Sequence, residues 1–207
     1  MNDHYRFGIV AGEKSGDILG ASLILALRKY FPNAEFIGVG GSEMIALGCQ
    51  SLCPIDRLSV MGFVEPFRRL PELLILQKKL QRRFLTDRID AFIGIDSPVF
   101  NLRLAKALKK KGLKTIHFVS PSVWAYRANR VFSIKESTDL MLTLFPFETN
   151  IYRNHHIKAE CVGHPLADQL SLKARNFNYR EHLGIPDNQT VVALLPGSRV
   201  DEVNRLA

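Results

Sequence analysis

Two strand-like runs of this sequence end in a Ser-Pro step, and the first run places an acid just before that step. Residues 91–95 (AFIGI) are followed by Asp96, and residues 115–119 (TIHFV) are followed by Ser120. In an open parallel α/β sheet, ligands bind in the crevice outside the carboxyl ends of the strands. Asp96 is therefore the first candidate for a catalytic base.

The residues around Asp96 leave a second interpretation open, in which the carboxylate caps a helix or pairs with a nearby cation. A simple cap is disfavoured because Pro98 interrupts the segment and Asn101 is better placed to start the next helix. A carboxylate beside Ile95 and Phe100 is also expected to be partly removed from water, which favours a role as a base. We therefore favour catalysis over capping.

The loop after the first strand-like run, residues 11–17 (AGEKSGD), is rich in polar side chains. It is not a phosphate-binding P-loop, because that motif needs a glycine directly before the lysine and this sequence has Glu13 there. It also lacks the middle glycine of the dinucleotide-binding fingerprint. Two interpretations stay open and are compatible: Ser15 or Asp17 caps the following helix, or the loop contacts a ligand.

Between Phe67 and Leu85 the apolar residues fill an arc of about 180° on a helical wheel, with lysines and arginines on the other side. A core-facing stripe needs only about 100°, so some apolar surface is left for another contact. The preceding loop, residues 61–67 (MGFVEPF), extends that surface. Apolar anchors edged by cations are typical of docking to anionic lipid headgroups, and a broad buried helix with a solvated basic face is the ordinary alternative.

Short apolar runs alternate along the chain with longer amphipathic stretches, and the strands and helices that they predict position these residues. That alternation predicts an α/β fold with a Rossmann-like parallel sheet flanked by helices. His117 lies inside a predicted strand and is expected to be a core histidine rather than a base. The predicted strands cover 5–11, 35–39, 90–95, 114–119, 139–144, 158–162 and 190–195. The predicted helices cover 16–30, 65–86, 100–111, 122–136 and 147–154.

The pattern divides the chain into a first domain and the beginning of a second. Residues 1–170 are interpreted as the Rossmann-like domain, and the polar segment 171–188 as a linker. Residues 189–207 contain the run VVALL, a turn and a helix start, so we interpret them as the truncated start of a second α/β domain. An orphan hairpin packed on the first domain is the less favoured alternative.

The composition of the 207 residues limits the function classes. Three cysteines are too few and too irregularly spaced for a disulfide framework or a zinc site, which indicates a reducing cytoplasm. No apolar run approaches the length of a transmembrane span. The net charge of +8 indicates an anionic partner, and charge alone does not choose among nucleic acid, nucleotide phosphate and an acidic membrane surface.

Several short motifs run in order along the chain. They are 10–17 (VAGEKSGD), 60–62 (VMG), 94–101 (GIDSPVFN), 117–125 (HFVSPSVWA), 145–148 (FPFE), 163–165 (GHP) and 194–199 (LLPGSR). Each motif alone is weak, and their combination over essentially the whole chain is highly specific. In this combination the sequence resembles the bacterial lipid-A-disaccharide synthase family.

The resemblance implies an inverting, metal-independent glycosyltransferase of the two-Rossmann-domain GT-B type, without a cofactor. It implies a UDP-2,3-diacylglucosamine donor and a 2,3-diacylglucosamine 1-phosphate acceptor, which give lipid A disaccharide 1-phosphate and UDP. It also implies a peripheral location on the cytoplasmic face of the inner membrane, with anionic lipids as partners. It leaves a homodimer open and gives no reason to expect nucleic acid as a partner.

The resemblance also implies roles for single residues. Asp96 corresponds to the general base that accepts the proton of the acceptor's sugar hydroxyl. Arg199 resembles a contact to the donor phosphates, which suits a forked guanidinium group. The expected substrate contacts are Glu13, Ser15, Asn101 and Ser120. The expected membrane and acyl-chain patch consists of Phe63, Val64, Phe67, Leu70, Leu73 and Leu74.

Two other function classes stay open. A non-catalytic flavodoxin-like or nucleotide-binding module has the same kind of sheet and binds its ligand without chemistry. A basic nucleic-acid-binding protein ranks last, because few aromatic residues interleave with the basic ones. With only the beginning of a second domain present, we expect the chain by itself to be a weakly active enzyme.

Overall fold

The structure of the protein is a computed structural model, which describes residues 4–58, 65–170, 178–195 and 203. Within these ranges seven strands form one sheet, in which every neighbouring pair runs parallel. Across the sheet their order is β3-β2-β1-β4-β5-β6-β7. The strands are β1 (Arg6–Ala11), β2 (Glu35–Val39), β3 (Cys49–Ser51), β4 (Ala91–Ile95), β5 (Lys114–Phe118), β6 (Leu140–Thr143) and β7 (Ala159–Cys161).

Helices connect the strands and cover both faces of the sheet. They are α1 (Lys14–Tyr30), α2 (Ser42–Ala46), α3 (Glu65–Thr86), α4 (Pro98–Lys109), α5 (Arg130–Ser137) and α6 (Pro146–Asn154). Two short helices, α7 (Pro165–Gln169) and α8 (Tyr179–His182), follow β7 in the chain. None of the helices in the described part of the chain combines the length and the apolar character that crossing a bilayer requires.

The alternation of side chains along β1 shows how the sheet is buried on both faces. Ile9 and Ala11 belong to the apolar cluster that includes Ile24 of α1. Val10 points to the other face and belongs to the cluster that includes Phe84 of α3. Successive side chains of a strand point to opposite faces, so a parallel sheet covered by helices on both sides needs nearly continuous apolar strands.

Helix α3 contributes to the core with only part of its apolar surface. Leu76, Leu80 and Phe84 are buried against the sheet. Nearer the N-terminal end of the helix, Leu70 is 43% exposed and Ile75 is 68% exposed. The prediction that this helix has more apolar surface than the core needs is therefore confirmed for the described residues.

Most predicted elements are present, with differences that have local causes. The six strands predicted between residues 5 and 162 are confirmed, whereas β3 and α2 are too short to produce a periodic pattern. The helix predicted over 100–111 begins at Pro98, since proline is favoured in the first turn. The helix predicted over 122–136 begins only at Arg130, because Arg127 has a φ of +54° and interrupts a right-handed helix.

The strand predicted over 190–195 is wrong. Residues 191–195 form no strand in the described structure, and Leu194 and Leu195 are 85% and 87% exposed. Short strands are stable only with a paired neighbour and an apolar cover. The described residues of the unit Gln169–Ala207 contain no strand that could pair with this run.

The chain divides into two compact units, Met1–Asp168 and Gln169–Ala207. The second unit contains α8, whose first turn is capped by the side chain of Asn178. The interpretation of 171–188 as a linker and of 189–207 as the start of a nucleotide-sugar domain stays a prediction. Residues 171–177 of that segment lie outside the described residues.

The strand order changes direction between β1 and β4. Strands β2 and β3 lie on one side of β1, and β4 to β7 lie on the other. At such a topological switch point the loops after neighbouring strands turn to opposite faces, and a crevice opens between them. The loops after β1 and β4 carry Glu13 and Asp96, so both carboxylates lie at the switch point of the sheet.

Asp17 caps a helix other than the one predicted. The residue is 2% exposed in the first turn of α1. Its carboxylate accepts hydrogen bonds from the backbone N–H groups of Gly41, Glu43 and Met44 at 2.8, 3.0 and 3.1 Å. These groups form the N-terminal end of α2. Neither Ser15 nor Asp17 therefore caps α1, whose first turn has no side-chain cap.

The substitution Asp17→Ala should destabilise the protein, because three backbone N–H groups lose a buried charged acceptor. We expect the free energy of unfolding to fall by about 2–4 kcal/mol, since hydrogen bonds to charged groups are worth about 1.5–3 kcal/mol each before partial replacement by water. Urea unfolding followed by circular dichroism measures the change. The exposed Asp56→Ala is the control, and equal stability of the two variants would contradict the capping role.

Candidate active site

The carboxyl ends of β1, β4 and β5 lie side by side. Parallel pairing places Ala11 beside Ile95 and Ile95 beside Phe118. The backbone N–H of Asp96 donates a hydrogen bond to the carbonyl of Phe118 at 2.9 Å. This bond connects the turn after β4 to the neighbouring strand and fixes Asp96, which is half-buried, at the edge where the crevice opens.

Three of the six described non-glycine residues with positive φ lie at this edge. Asp96, Ser97 and Val119 have left-handed conformations with φ of +49°, +42° and +79°. Each such non-glycine residue costs about 1–3 kcal/mol, and such residues cluster at functional sites, where the surrounding structure enforces them. The strain identifies the ends of β4 and β5 as a candidate site by a criterion independent of sequence motifs.

Asn101 holds the turn after β4 in its strained conformation. The side chain is completely buried, and the two N–H groups of its amide Nδ2 are shared among the carbonyls of Val10, Ile95 and Asp96 at 3.1, 3.0 and 2.9 Å. One amide group therefore connects β1, β4 and the backbone of Asp96. In this geometry Asn101 is a positioning residue, and its predicted contact with substrate stays a prediction.

Gly12 permits the close approach of the loop after β1 to the same turn. A Cβ atom at this position would lie 1.9 Å from Oγ and 2.6 Å from Cβ of Ser97. Any larger residue would therefore displace Ser97 and the strained backbone that precedes it. The two loops of the switch point are packed against each other as one unit.

A cavity of about 240 Å³ opens beside this turn, between α3 and α4. Its lining is mainly apolar and includes Leu70, Leu73 and Leu74 of α3. Glu13 and Ser97 line the same cavity. The structure thus brings part of the predicted acyl-chain patch and one predicted substrate contact together on a single cavity, next to the turn that carries the candidate base.

Four of the predicted site residues lie wholly or partly outside the described part of the chain. The backbone of residue 67 belongs to α3, and the other three residues lie outside the described part of the chain. The three residues are Phe63, Val64 and Arg199, and the fourth is Phe67, whose side chain lies outside the described structure.

Ser15 and Ser120 have different surroundings. Ser15 is exposed in the first turn of α1. The hydroxyl of Ser120 is hydrogen-bonded to the carbonyl of Pro121 at 2.9 Å and to the hydroxyl of Tyr152 at 2.7 Å. Burial raises the pKa of Tyr152 to about 12. Ser120 therefore connects the end of β5 to α6, and the substrate contacts of both serines stay predictions.

His117 is buried in β5, as predicted from the sequence, but its ring is not hydrogen-bonded to any described residue. Neither ring nitrogen has a partner in the described structure. The side chain lies beside Asn101, because a Cβ on Gly94 would be 3.2 Å from Nδ1 of His117 and 2.8 Å from Cβ of Asn101. Burial lowers the pKa of His117 from 6.5 to about 4, so the ring is neutral at physiological pH.

The sequence pattern does not single out Gln77 or Arg103, although both line the cavity. Gln77 is 9% exposed, and its amide donates to the carbonyl of Phe100 at 2.9 Å, which joins α3 to α4. A polar residue inside the apolar arc of α3 is the signal that could have identified it. Arg103 gives no comparable signal, because an arginine on an amphipathic helix is ordinary.

The arrangement combines a carboxylate at a sheet edge with an apolar cavity. Asp96 can accept a proton from a hydroxyl group held there, and the cavity can hold the apolar part of the same molecule. The described residues contain no group of three His, Cys, Asp or Glu side chains that could hold a metal ion. The expectation of metal-independent chemistry stays a prediction.

Residues 7–207 match the family model whose description is lipid-A-disaccharide synthetase. The chain belongs to the lipid-A-disaccharide synthetase family. Lipid-A-disaccharide synthases of Cellvibrio japonicus and of Pseudomonas aeruginosa strain UCBPP-PA14 are 53% and 52% identical to it over 207 and 206 residues. The enzyme of Colwellia psychrerythraea is 49% identical over 208 residues. The family resemblance derived from the motifs is therefore confirmed.

The matched region covers 100% of this chain but only 54% of the Cellvibrio and Pseudomonas synthases. The chain thus spans about half the length of the curated relatives it matches. A solved glycosyltransferase from Rickettsia africae ESF-5 has a TM-score of 0.51 at 14% identity, over 91% of this chain and 51% of that one. This likeness shows the fold alone, and it agrees with the predicted Rossmann-like α/β fold.

The buried ring of His117 should make stability depend on pH. The pKa of His117 is about 4 in the folded protein, and its ordinary value of 6.5 applies to the unfolded chain. Between pH 4 and pH 6.5 the unfolded chain therefore binds the proton more readily than the folded protein does. The contribution of His117 to the free energy of unfolding is complete above pH 6.5. It disappears as the pH falls to about 4, so the free energy of unfolding falls by about 3 kcal/mol.

Urea unfolding of the native protein and of His117→Gln between neutral and acidic pH measures this contribution. The free energy of unfolding should fall by about 3 kcal/mol more for the native protein than for the variant. Comparison at each pH removes the titration of all other groups. Parallel pH profiles of the two proteins would show that His117 does not titrate as proposed.

Proposed function

We propose that this chain is the acceptor-binding and membrane-binding half of an inverting glycosyltransferase that makes the lipid A disaccharide. The donor is UDP-2,3-diacylglucosamine, and the acceptor is 2,3-diacylglucosamine 1-phosphate. Membership of the lipid-A-disaccharide synthetase family supports the reaction and disfavours a non-catalytic flavodoxin-like module. The observation that carries the proposal is the position of Asp96 at the topological switch point, beside an apolar cavity.

In the proposed mechanism Asp96 accepts the proton of the acceptor's sugar hydroxyl as that oxygen attacks the anomeric carbon of the donor. The new carbon–oxygen bond forms while the bond between the anomeric carbon and the phosphate oxygen breaks. UDP leaves with the electron pair of the broken bond, and Arg199 is proposed to bind its phosphates. The fixed backbone of Asp96 keeps the base in place for this step.

The apolar cavity supports the assignment of diacylated substrates. Leu70, Leu73 and Leu74 present aliphatic surface to it, and Leu70 is 43% exposed. Burial of aliphatic surface contributes about 25 cal/mol per Å², so an acyl chain in this cavity would be held by the same effect that holds the core. We assign the cavity to one acyl chain of a substrate.

The exposed apolar surface of α3 supports attachment to a lipid surface. Leu70 and Ile75 are 43% and 68% exposed, and Lys78, Lys79 and Arg82 are exposed on the same helix. Such a helix inserts apolar side chains among acyl chains while its cations contact anionic headgroups. We place this surface on the cytoplasmic face of the inner membrane.

The substitution Asp96→Asn should lower kcat by at least about a hundredfold, because asparagine cannot accept the proton and general-base catalysis contributes about 10²–10⁴-fold. The assay measures UDP release from the diacylated donor by the complete enzyme. The complete enzyme is the full gene product. If translation ends at Ala207, the chain is fused to the second half of the Cellvibrio japonicus synthase instead.

The matched control is Asp187→Asn, which makes the same chemical change at an exposed position. It should retain full turnover. Circular dichroism and the urea midpoint should be the same for both variants and the parent enzyme. An Asp96→Asn enzyme that is folded and loses less than about tenfold in kcat would refute the assignment of the base.

A double substitution, Leu70→Glu with Ile75→Glu, should weaken binding to vesicles of phosphatidylethanolamine and phosphatidylglycerol. Burying a leucine or isoleucine side chain is worth about 1.5–3 kcal/mol, so we expect the partition coefficient to fall by at least about tenfold. Sedimentation with the vesicles measures it. The control is Leu25→Glu, which charges a leucine that is 52% exposed on α1. Unchanged partitioning of the double variant would remove the argument for attachment through α3.

A further inference from the structure

A second cavity of about 280 Å³ lies on the other side of α4, between that helix and α5. Arg103 and Lys106 line it from α4, and Arg130 and Ser133 line it from α5. We call this cavity the basic groove. Its described lining contains no acidic side chain, so the groove has a strong excess of positive charge.

The spacing of residues on the two helices produces this groove. Arg103 and Lys106 are three residues apart on α4, and Arg130 and Ser133 are three residues apart on α5, so each pair lies on one helix face. The helices are held together by a buried cluster that includes Leu102. The groove is therefore formed by packed helices, which keeps its polar groups in a fixed arrangement.

Two of the three cations in the groove have no counter-charge among the described residues. Lys106 forms an ion pair with Glu136. The guanidinium groups of Arg103 and Arg130 form no ion pair and no hydrogen bond with any residue in the described part of the chain. Planar guanidinium groups bind phosphate with paired hydrogen bonds, so two uncompensated arginines on one groove favour a phosphate group as ligand.

The basic groove and the apolar cavity of the candidate active site share part of their lining. Pro98, Val99 and Arg103 line both cavities. Asp96 is two residues before Pro98, in the turn from which α4 begins. A single molecule that carries an acyl chain, a phosphate and a reactive hydroxyl on one sugar ring can therefore contact the cavity, the groove and the candidate base together.

We propose that Arg103 and Arg130 bind the phosphate monoester of the acceptor. In this arrangement one acyl chain of the acceptor occupies the apolar cavity, the phosphate occupies the basic groove across Val99, and the sugar ring lies near Asp96. The inference rests on the proposed function, because it assigns a subsite for one of the two proposed substrates. It makes Arg103 and Arg130 the residues that distinguish a phosphorylated acceptor from an unphosphorylated one.

The test compares the complete enzyme with its Arg103→Gln/Arg130→Gln variant, using the acceptor with and without its phosphate. For the phosphorylated acceptor, the variant should raise KM by about ten- to hundredfold, the effect expected for loss of charge-assisted hydrogen bonds. The KM for the donor should change less than about twofold. The variant Lys111→Gln/Lys114→Gln removes the same charge at exposed positions away from the groove and should behave like the parent.

Direct binding gives a readout that does not depend on turnover. Titration calorimetry in matched detergent micelles should show that the parent prefers the phosphorylated acceptor by at least about tenfold and that the arginine variant loses this preference. The same preference in the parent and the variant would overturn the proposal. So would a rise in KM for the donor alone, which would assign the groove to the donor diphosphate.

A third contrary result is weaker binding of the arginine variant to anionic vesicles with unchanged acceptor preference, which would assign the groove to lipid headgroups. Failure of this inference differs from failure of the proposed function. If the proposed function is wrong, the parent enzyme releases no UDP with either acceptor. If only the inference is wrong, the parent is active and the arginine variant discriminates between the acceptors as well as the parent does.

Discussion

The left-handed turn at Asp96 and Ser97 is the constraint on which the site depends. Two consecutive non-glycine residues at positive φ cost about 1–3 kcal/mol each, so the turn persists only because its surroundings enforce it. The amide of Asn101 donates to carbonyls on both β1 and β4, and Gly12 leaves room for Ser97. Without these contacts the end of β4 would relax, and Asp96, the cavity lining and the start of α4 would move together.

The same turn places one helix beside the candidate base, the apolar cavity and the basic groove. Helix α4 begins at Pro98, directly after the turn, and its residues line both the apolar cavity and the basic groove. Its opposite side is buried through Leu104 and Leu108. Because the core fixes the helix, the cavity and the groove keep a constant relation to Asp96. The candidate site at the sheet edge is thus supported by ordinary hydrophobic packing beneath it.

Much of the fold follows from the sequence, because buried parallel strands need continuous apolar runs such as residues 91–95. The position of Asp96 follows as well, since ligands bind at the carboxyl ends of such strands. The run 190–195 shows the limit of this reasoning. Its local pattern is that of a strand, but pairing depends on a neighbour that a local pattern does not encode. The three-residue β3 is missed by the sequence prediction for a related reason, because it is too short to show a periodic pattern.

The site itself is less predictable than the fold. The left-handed backbone of Ser97 and the close approach of Gly12 arise from contacts between loops about eighty-five residues apart, which no local pattern reports. Arg103 likewise becomes a candidate for phosphate binding only because α5 places Arg130 at the same groove. Tertiary contacts thus turn ordinary surface residues into candidates for substrate binding.

The central claim is that the Asp96 carboxylate takes the proton of the acceptor's hydroxyl. A crystal structure of the complete enzyme with the acceptor and UDP tests this most directly. The account predicts the attacking hydroxyl oxygen within about 2.6–3.2 Å of an Asp96 carboxylate oxygen, the range for proton transfer to a base. An acceptor bound with that hydroxyl against a different base, and with Asp96 beyond hydrogen-bond reach, would contradict it.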